Sequence, residues 1–282
     1  MYTINTPISR GKYRAFLTAR SICKTVPRDL IGTAKDGRQF SIDLSSGMQD
    51  TVYFLGEYEP AITALIEPVI KKNGCRTFID AGANFGWYTT LFFKYARDVG
   101  SVHAFEPLPV TFACLERNHE LMGSPQNVRI NNLALGDEET ELTINVFPGE
   151  PTGHASLSDH QRADAEKFQC KVVTLDSYLN QNNVGAVDFI KVDVEGAEMS
   201  LLRGADRLFG QDVQPIWLME MALNQTRNFG YTPNDLIEYF KERGEYKFFK
   251  IEEEAVRLEE ITGFDENDIG ANVICIPSGR VI

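Results

Sequence analysis

The sequence predicts an α/β protein in which a mostly parallel sheet carries helices on both faces, preceded by a short amino-terminal extension. Three observations predict it. From Thr77 onward, short β-branched runs alternate with stretches of helical periodicity, the pattern of βαβ units. The expected strands repeatedly end on an acid, at Asp80, Glu106, Asp193 and Glu220. The 282 residues, 43% of them apolar, suffice to bury the core such a sheet needs.

In chain order, the basic, acid-free stretch up to Arg28 reads as an amphipathic helix around residues 12 to 24 that packs on an acidic body, with an organelle transit peptide or an anionic-surface contact as the alternatives. Asp36-Gly37, flanked by short alternating runs, predicts a hairpin over residues 35 to 50. Glu59-Pro60 then breaks the chain. Ile62, Leu65, Ile66, Val69 and Ile70 recur at helical spacing, and Asn73-Gly74 closes that helix. The extension therefore spans residues 1–60 and the main domain residues 61–282. Within the latter, strands are expected at about 77–81, 101–105, 127–133, 187–193 and 214–220. Helices are expected at about 86–97, 109–122, 174–181, 197–209 and 233–243. Further strands at 141–147 and 170–174 bracket an irregular stretch, 148–169, of the kind that is functional or mobile. Two late apolar runs, 246–251 and 272–276, are joined by an acidic connection.

Composition excludes several classes. A net charge of −12 opposes nucleic-acid binding, because phosphate backbones reward basic faces. Five scattered cysteines without a C-x-x-C pair suit a reducing compartment, so a cytoplasmic protein is expected. No apolar run reaches the ~20 residues of a membrane span. His103, His119, His154 and His160 show no metal-ligand spacing, so no metal is expected. Oligomeric state is not legible.

In an open α/β sheet the ligand crevice lies beyond the carboxyl ends of the strands. The first main strand ends at Asp80 and runs into Ala81-Gly82-Ala83-Asn84-Phe85-Gly86, where glycines let a ligand approach backbone amides at a helix start. The second ends at Glu106, placed to accept hydrogen bonds from vicinal ribose hydroxyls. Together they point to an adenosine-containing ligand. In the run Ile190 to Glu198, a period of two sets Lys191, Asp193 and Glu195 on one strand face, a costly arrangement unless the charges pair or border a crevice.

These residues resemble the FkbM-type S-adenosylmethionine-dependent methyltransferases. The likeness is carried by Gly56 to Pro60, Phe78 to Gly86, Phe105-Glu106-Pro107, Asn132 to Gly136, Thr174 to Ser177 and, above all, the Lys-x-Asp-x-Glu-Gly-x-Glu segment from Lys191 to Glu198. The resemblance implies a class I methyltransferase, Rossmann-like fold with a seven-stranded sheet whose last strand is antiparallel. It implies S-adenosyl-L-methionine as cofactor, with Asp80 and the turn of Gly82, Ala83, Asn84 and Gly86 at its methionine end. Glu106 would take the ribose, Asn132 and Ala134 the adenine surroundings, and Asp193 the neighbourhood of the methyl group. The implied reaction is O-methylation of a small-molecule hydroxyl on a sugar or secondary metabolite.

The sulfonium is already an activated leaving group, but an aliphatic hydroxyl profits from a general base. Asp193 and Glu195 are the expected catalytic carboxylates, with Glu220 beside them and His154 or His160 if the irregular segment covers the site. Lys191 reads as their ion-pair partner. Two rival readings are a NAD-dependent Rossmann oxidoreductase and a non-catalytic cofactor binder. The first lacks the third glycine of G-x-G-x-x-G, and its Tyr246/Lys250 pair falls in an expected strand.

Overall fold

The computed structural model describes Thr18 and residues 30–43, 46, 48–97, 99–146, 166–265 and 268–282. The helix expected over residues 12 to 24, apart from Thr18, and His154 and His160 lie outside the described residues. From residue 30 the described chain forms a hairpin of β1 (Leu30–Thr33) and β2 (Gln39–Ile42), paired antiparallel about the Asp36-Gly37 turn. Past β2 the expected hairpin gives way to a helix, α1 (Gln49–Leu55), which ends on Gly56 in the left-handed region at φ 73°. Helix α2 (Pro60–Lys72) follows, with proline at its first turn, where a missing N–H costs nothing.

Among the described residues, eight strands form the main sheet. β3 (Thr77–Ala81), β4 (Ser101–Phe105) and β5 (Val128–Asn131) run parallel side by side. On the other side of β3 lie β9 (Phe189–Val192) and β10 (Ile216–Ala222), again parallel. β13 (Gly270–Pro277) is inserted antiparallel between β10 and β11 (Tyr246–Glu252), and β12 (Arg257–Ile261) closes the edge. The order is β12-β11-β13-β10-β9-β3-β4-β5. The antiparallel last strand is present, but the sheet has eight strands where seven were expected. The acidic connection holds the extra one, β12, whose side chains are largely solvated and so lack the apolar run that marks a strand.

Helices α3 (Trp87–Ala96) and α4 (Pro109–Leu121) follow β3 and β4. Helix α5 (Leu175–Gln181) precedes β9, while α6 (Glu198–Arg203) and α7 (Asp206–Phe209) follow it. After β10 come a single turn, α8 (Leu223–Thr226), a 3₁₀ turn at Arg227–Phe229, and α9 (Pro233–Lys241). The one helix expected over 197–209 is broken in two at Gly204, whose backbone packs so closely on Gly136 that a Cβ would lie 2.0 Å from its carbonyl oxygen.

Period two distributes the strands' side chains over two cores. Phe78, Phe189, Leu218 and Ile274 meet α2 and α3 on one face, and Phe40, Ile42 and Val52 belong to that same cluster. Ile79, Ile190, Trp217 and Met219 meet α5, α6 and α9 on the other. Both faces are dry, as a parallel sheet requires. A separate sheet, β6 (Ala134–Leu135), β8 (Glu166–Val173) and β7 (Thr140–Val146), stands beside the end of β5. The strand expected at 170–174 is therefore the end of a longer one that pairs along its length with β7.

Candidate active site

The chain runs outward from β3 to β5 on one side, then crosses back to place β9 on the other side of β3, so connections diverge at the carboxyl ends of β3 and β9. A ligand crevice belongs at such a point. A cleft of about 630 Å³ opens there, within the range that holds a cofactor-sized molecule.

Its floor is the turn after β3. The amides of Gly82 and Ala83 both donate to the Phe105 carbonyl, at 3.0 and 2.9 Å, which pins the turn to the end of β4. Gly82 has φ 75°, and a Cβ there would lie 1.8 Å from the Asp193 carbonyl oxygen, so glycine is required twice over. Asn84, with φ 50°, donates its amide to Glu106 Oε2 at 2.9 Å, and Leu108 donates to Glu106 Oε1 at 3.0 Å. One carboxylate thus joins the two loops that bound the cleft. Glu106 is only 5% exposed, and burial pushes its carboxyl up to about 7 despite those two amides.

Beside that turn, β9 ends at Val192 and the chain changes direction. Lys191, on the strand, donates to Asp193 Oδ2 at 3.0 Å and to the Gly82 carbonyl at 3.3 Å, and its ammonium lies 5.2 Å from the centre of the Tyr88 ring. Burial works against its charge, but Asp193, Asp80 and Glu59 more than reverse that and raise its pKa. The ion-pair reading of Lys191 agrees with this geometry. Glu195 reaches the cleft by the turn and not by strand alternation, since the strand has ended and Glu195 sits at φ 53°. Burial, then the Asp193 and Glu198 charges, push its carboxyl up to about 8. Gln225 Nε2 donates to Glu195 Oε2 at 2.6 Å and to Glu220 Oε2 at 3.3 Å. Burial and the neighbouring Asp193 likewise raise the Glu220 carboxyl.

The structure brings Gly82, Asn84, Glu106, Ala134, Asp193 and Glu195 onto the cleft wall. Four other residues expected at the cofactor stand behind it. Asp80 is fully buried, registered beside Lys191 and accepting a hydrogen bond from Thr89 at 2.5 Å, so its carboxylate faces the cation and not the crevice. Ala83 is buried by its turn, and Gly86 packs against Leu115, where a Cβ would sit 2.7 Å from Cδ1. Asn132 is exposed and donates to the carbonyls of Glu106 and Pro107, bracing the loop from outside.

Sequence reasoning missed five further residues that line the cleft, Met48, Tyr58, Glu59, Gln225 and Phe229. Tyr58 and Glu59 sat in a quoted motif without a role, and Glu59 occupies the left-handed region at φ 45° as the cap of α2. Tyr88 donates to its carboxylate at 2.5 Å, and burial raises that carboxyl in spite of the bond. The available signal was Glu59-Pro60, where a helix start aims a side chain. Met48, Gln225 and Phe229 are of types that more often fill cores, and nothing in their spacing marks them. Among the described residues, no group of three or more His, Cys, Asp or Glu side chains is disposed to hold a metal ion.

Residues 80–247 match the family model for the methyltransferase FkbM domain. The chain belongs to the FkbM methyltransferase family, whose methyl donor is S-adenosylmethionine. It is 33% identical over 146 residues to "Methyltransferase 1" of Beauveria bassiana, covering 45% of this chain and 57% of that protein. It is 26% identical over 158 residues to the 31-O-demethyl-FK506 methyltransferase FkbM of Streptomyces tacrolimicus, covering 45% of this chain and 58% of that one. The match thus spans a little over half the length of these relatives. Among solved structures, an O-methyltransferase from Bacillus cereus in complex with SAH aligns with TM-score 0.45 and 10% identity, over 95% of this chain and 90% of that one. Membership of this family displaces the nicotinamide reading. Consistent with that, Tyr246 and Lys250 lie in β11, and Lys250 pairs with Asp268 at 3.2 Å.

Proposed function

We propose that this chain moves the methyl group of S-adenosylmethionine to a hydroxyl oxygen of a small molecule, a sugar or a secondary metabolite. The observation that carries this reading is that one cleft gathers two chemistries. The glycine turn and Glu106 suit a ribose and a methionine moiety. Glu59, Glu195 and Glu220, with Tyr58, Gln225 and Phe229, line the same cleft and offer carboxylates to a hydroxyl proton. The Streptomyces relative is named for methylation at an oxygen, which agrees with a carboxylate-rich cleft.

In this reading Glu106 accepts from the ribose hydroxyls through the lone pairs its two amide donors leave open. Asp193, held by Lys191, borders the methyl carbon. The chain's main contribution is alignment of oxygen, carbon and sulfur with water excluded, worth roughly 7–11 kcal/mol in favourable systems. A carboxylate base adds about 10²- to 10⁴-fold. The extension of residues 1–60 is proposed to shape the acceptor side, since Met48, Tyr58 and Glu59 come from it. A net charge of −12 disfavours nucleic acid as the acceptor. No helix among the described residues is long and apolar enough to cross a membrane.

Calorimetric titration with S-adenosylmethionine and S-adenosylhomocysteine, with NAD and ADP-ribose as controls, tests the donor. Labelled methyl transfer to a panel of sugars and hydroxylated metabolites then tests the acceptor. Micromolar binding of the first pair alone supports the reading, and binding of neither ends it.

A further inference from the structure

We propose that Asp193, Glu195 and Glu220 together hold a proton in the unliganded cleft, release it when the sulfonium cofactor enters, and take up the acceptor's hydroxyl proton as the methyl group leaves. This rests on the methyltransferase reading above, and it makes Glu220 a catalytic residue of that reaction.

The geometry begins with strand register. Met219 pairs with Val192, so the residues that follow, Glu220 and Asp193, emerge side by side at the carboxyl ends of β10 and β9. Burial and the Asp193 carboxyl beside it raise the Glu220 carboxyl, the behaviour of neighbouring acids that cannot both ionise cheaply. Gln225 then clamps Glu220 to Glu195 by donating Nε2 to both, at 3.3 and 2.6 Å. Its Oε1 is buried with no hydrogen-bond partner of its own, so the amide is held in place by its two carboxyl contacts.

The charges facing this cluster do not neutralise it. Lys191, from β9, is bonded to Asp193. Against that cation stand Glu59 at the start of α2, Asp80 on β3, Glu106 after β4 and Glu198 at the start of α6, with the phenols of Tyr58 and Tyr88 alongside. With carboxyls in excess of cations at a half-buried site, retaining a proton is the favoured state. Burial pushes Glu195 up to about 8, in agreement with the geometry.

The donor changes that balance. S-adenosylmethionine brings a sulfonium charge, and its demethylated product does not. An added cation beside the cluster favours the ionised carboxylates and expels the held proton. In the transfer, the hydroxyl oxygen forms its bond to the methyl carbon, and the carbon–sulfur bond breaks with its electron pair kept by sulfur. The oxygen's proton passes to the carboxylates that the vanished sulfonium no longer stabilises as anions. Proton uptake and loss of the sulfonium charge are thereby the same event seen at two atoms.

The test is calorimetry of the full chain at pH 7.5 with each ligand, in phosphate and in Tris, whose different ionisation enthalpies report protons released per ligand bound. Glu106 meets a ribose common to both ligands, so any proton it releases cancels in the comparison. S-adenosylmethionine is expected to release about one proton more than S-adenosylhomocysteine, and the excess to shrink in Glu220→Gln and in Glu195→Gln. Equal proton counts for two ligands that both bind would overturn the coupling and leave the methyltransferase reading standing. Failure of both ligands to bind would overturn that reading, and the coupling with it. The wild-type comparison decides the matter even where a variant folds poorly.

Discussion

Replacing Glu106 by Gln removes the charge that joins the two cofactor loops while keeping the side chain's shape. In the folded, unliganded protein the change is close to neutral. The carboxyl stands at about 7 against an ordinary 4.5, so burial disfavours its ionised form by ~3 kcal/mol, and the amide escapes that penalty. Set against this is one of the two backbone donors, Asn84 or Leu108, which meets an NH₂ in place of an oxygen at a cost of about 1–3 kcal/mol. The melting temperature is expected to move by only a few degrees. Cofactor binding is different, because two ribose hydroxyls lose a charged acceptor. At roughly 1.5 kcal/mol each this amounts to a ~10²-fold loss of affinity. The assay is titration with S-adenosylhomocysteine, whose neutral sulfur leaves the acceptor-side carboxylates undisturbed. The sign with pH follows from linkage: the free protein holds the Glu106 proton and the complex does not, so wild-type affinity rises between pH 6 and 8 and levels off above. The variant is flat over that range. Affinity within twofold of wild type, or a pH-independent wild type, refutes the ribose assignment.

Four other outcomes are expected. Gly82→Ala drives a methyl group into the Asp193 carbonyl and strains a backbone at φ 75°, so it abolishes cofactor binding and lowers the melting temperature, both read in one thermal-shift series with and without S-adenosylhomocysteine. Lys191→Met strands Asp193, Asp80 and Glu59 without their cation and costs about 3–5 kcal/mol at pH 8, with a smaller loss at lower pH because burial already raises Asp80 and Glu59; urea unfolding at pH 8 and pH 5 measures it. Asp193→Ala is expected to lower the methyl-transfer rate at least tenfold, and a full rate in that variant would remove the residue from the reaction. Glu106 and Glu195 both bind protons more tightly folded than unfolded, so the stability they contribute is complete below about 4.5 and is lost as pH rises through about 7 and 8. Thermal melts of the unliganded protein should therefore decline from pH 5 to pH 9, and less steeply in Glu195→Gln.

The sequence disclosed those parts of the molecule whose local chemistry and final position are coupled. Strand ends are such places: Gly82 and Glu106 sit where an apolar run stops, and the rule about crevices in parallel sheets does the rest. Asp80 shows the limit of that rule, since the last polar residue of a strand faces either the crevice or the neighbouring strand. The Lys191 side chain on β9, invisible to a reading of β3 alone, decides it. Glu195 was placed on the cleft for the wrong reason, because alternation assumes that the strand continues and the chain instead turns through φ 53°. Strand β12 was hidden by its solvated side chains, and the break at Gly204 by a partner 68 positions away in sequence, Gly136. Tyr58, Gln225 and Phe229 reach the site only through tertiary packing, which leaves no periodic trace.

The lining of the cleft comes from separate stretches of chain. The turns that end β3 and β4, proposed to hold the donor, are tied together by backbone amides and by one carboxylate. Other lining residues come from residues 48–59, before the sheet begins, and from the turns that follow β10. On the proposed assignment, relatives of this protein can exchange one inventory of side chains for another around the acceptor while the grip on the donor stays constant. The same partition offers a route to redesign in two short segments, neither of which supplies the glycine turn or Glu106.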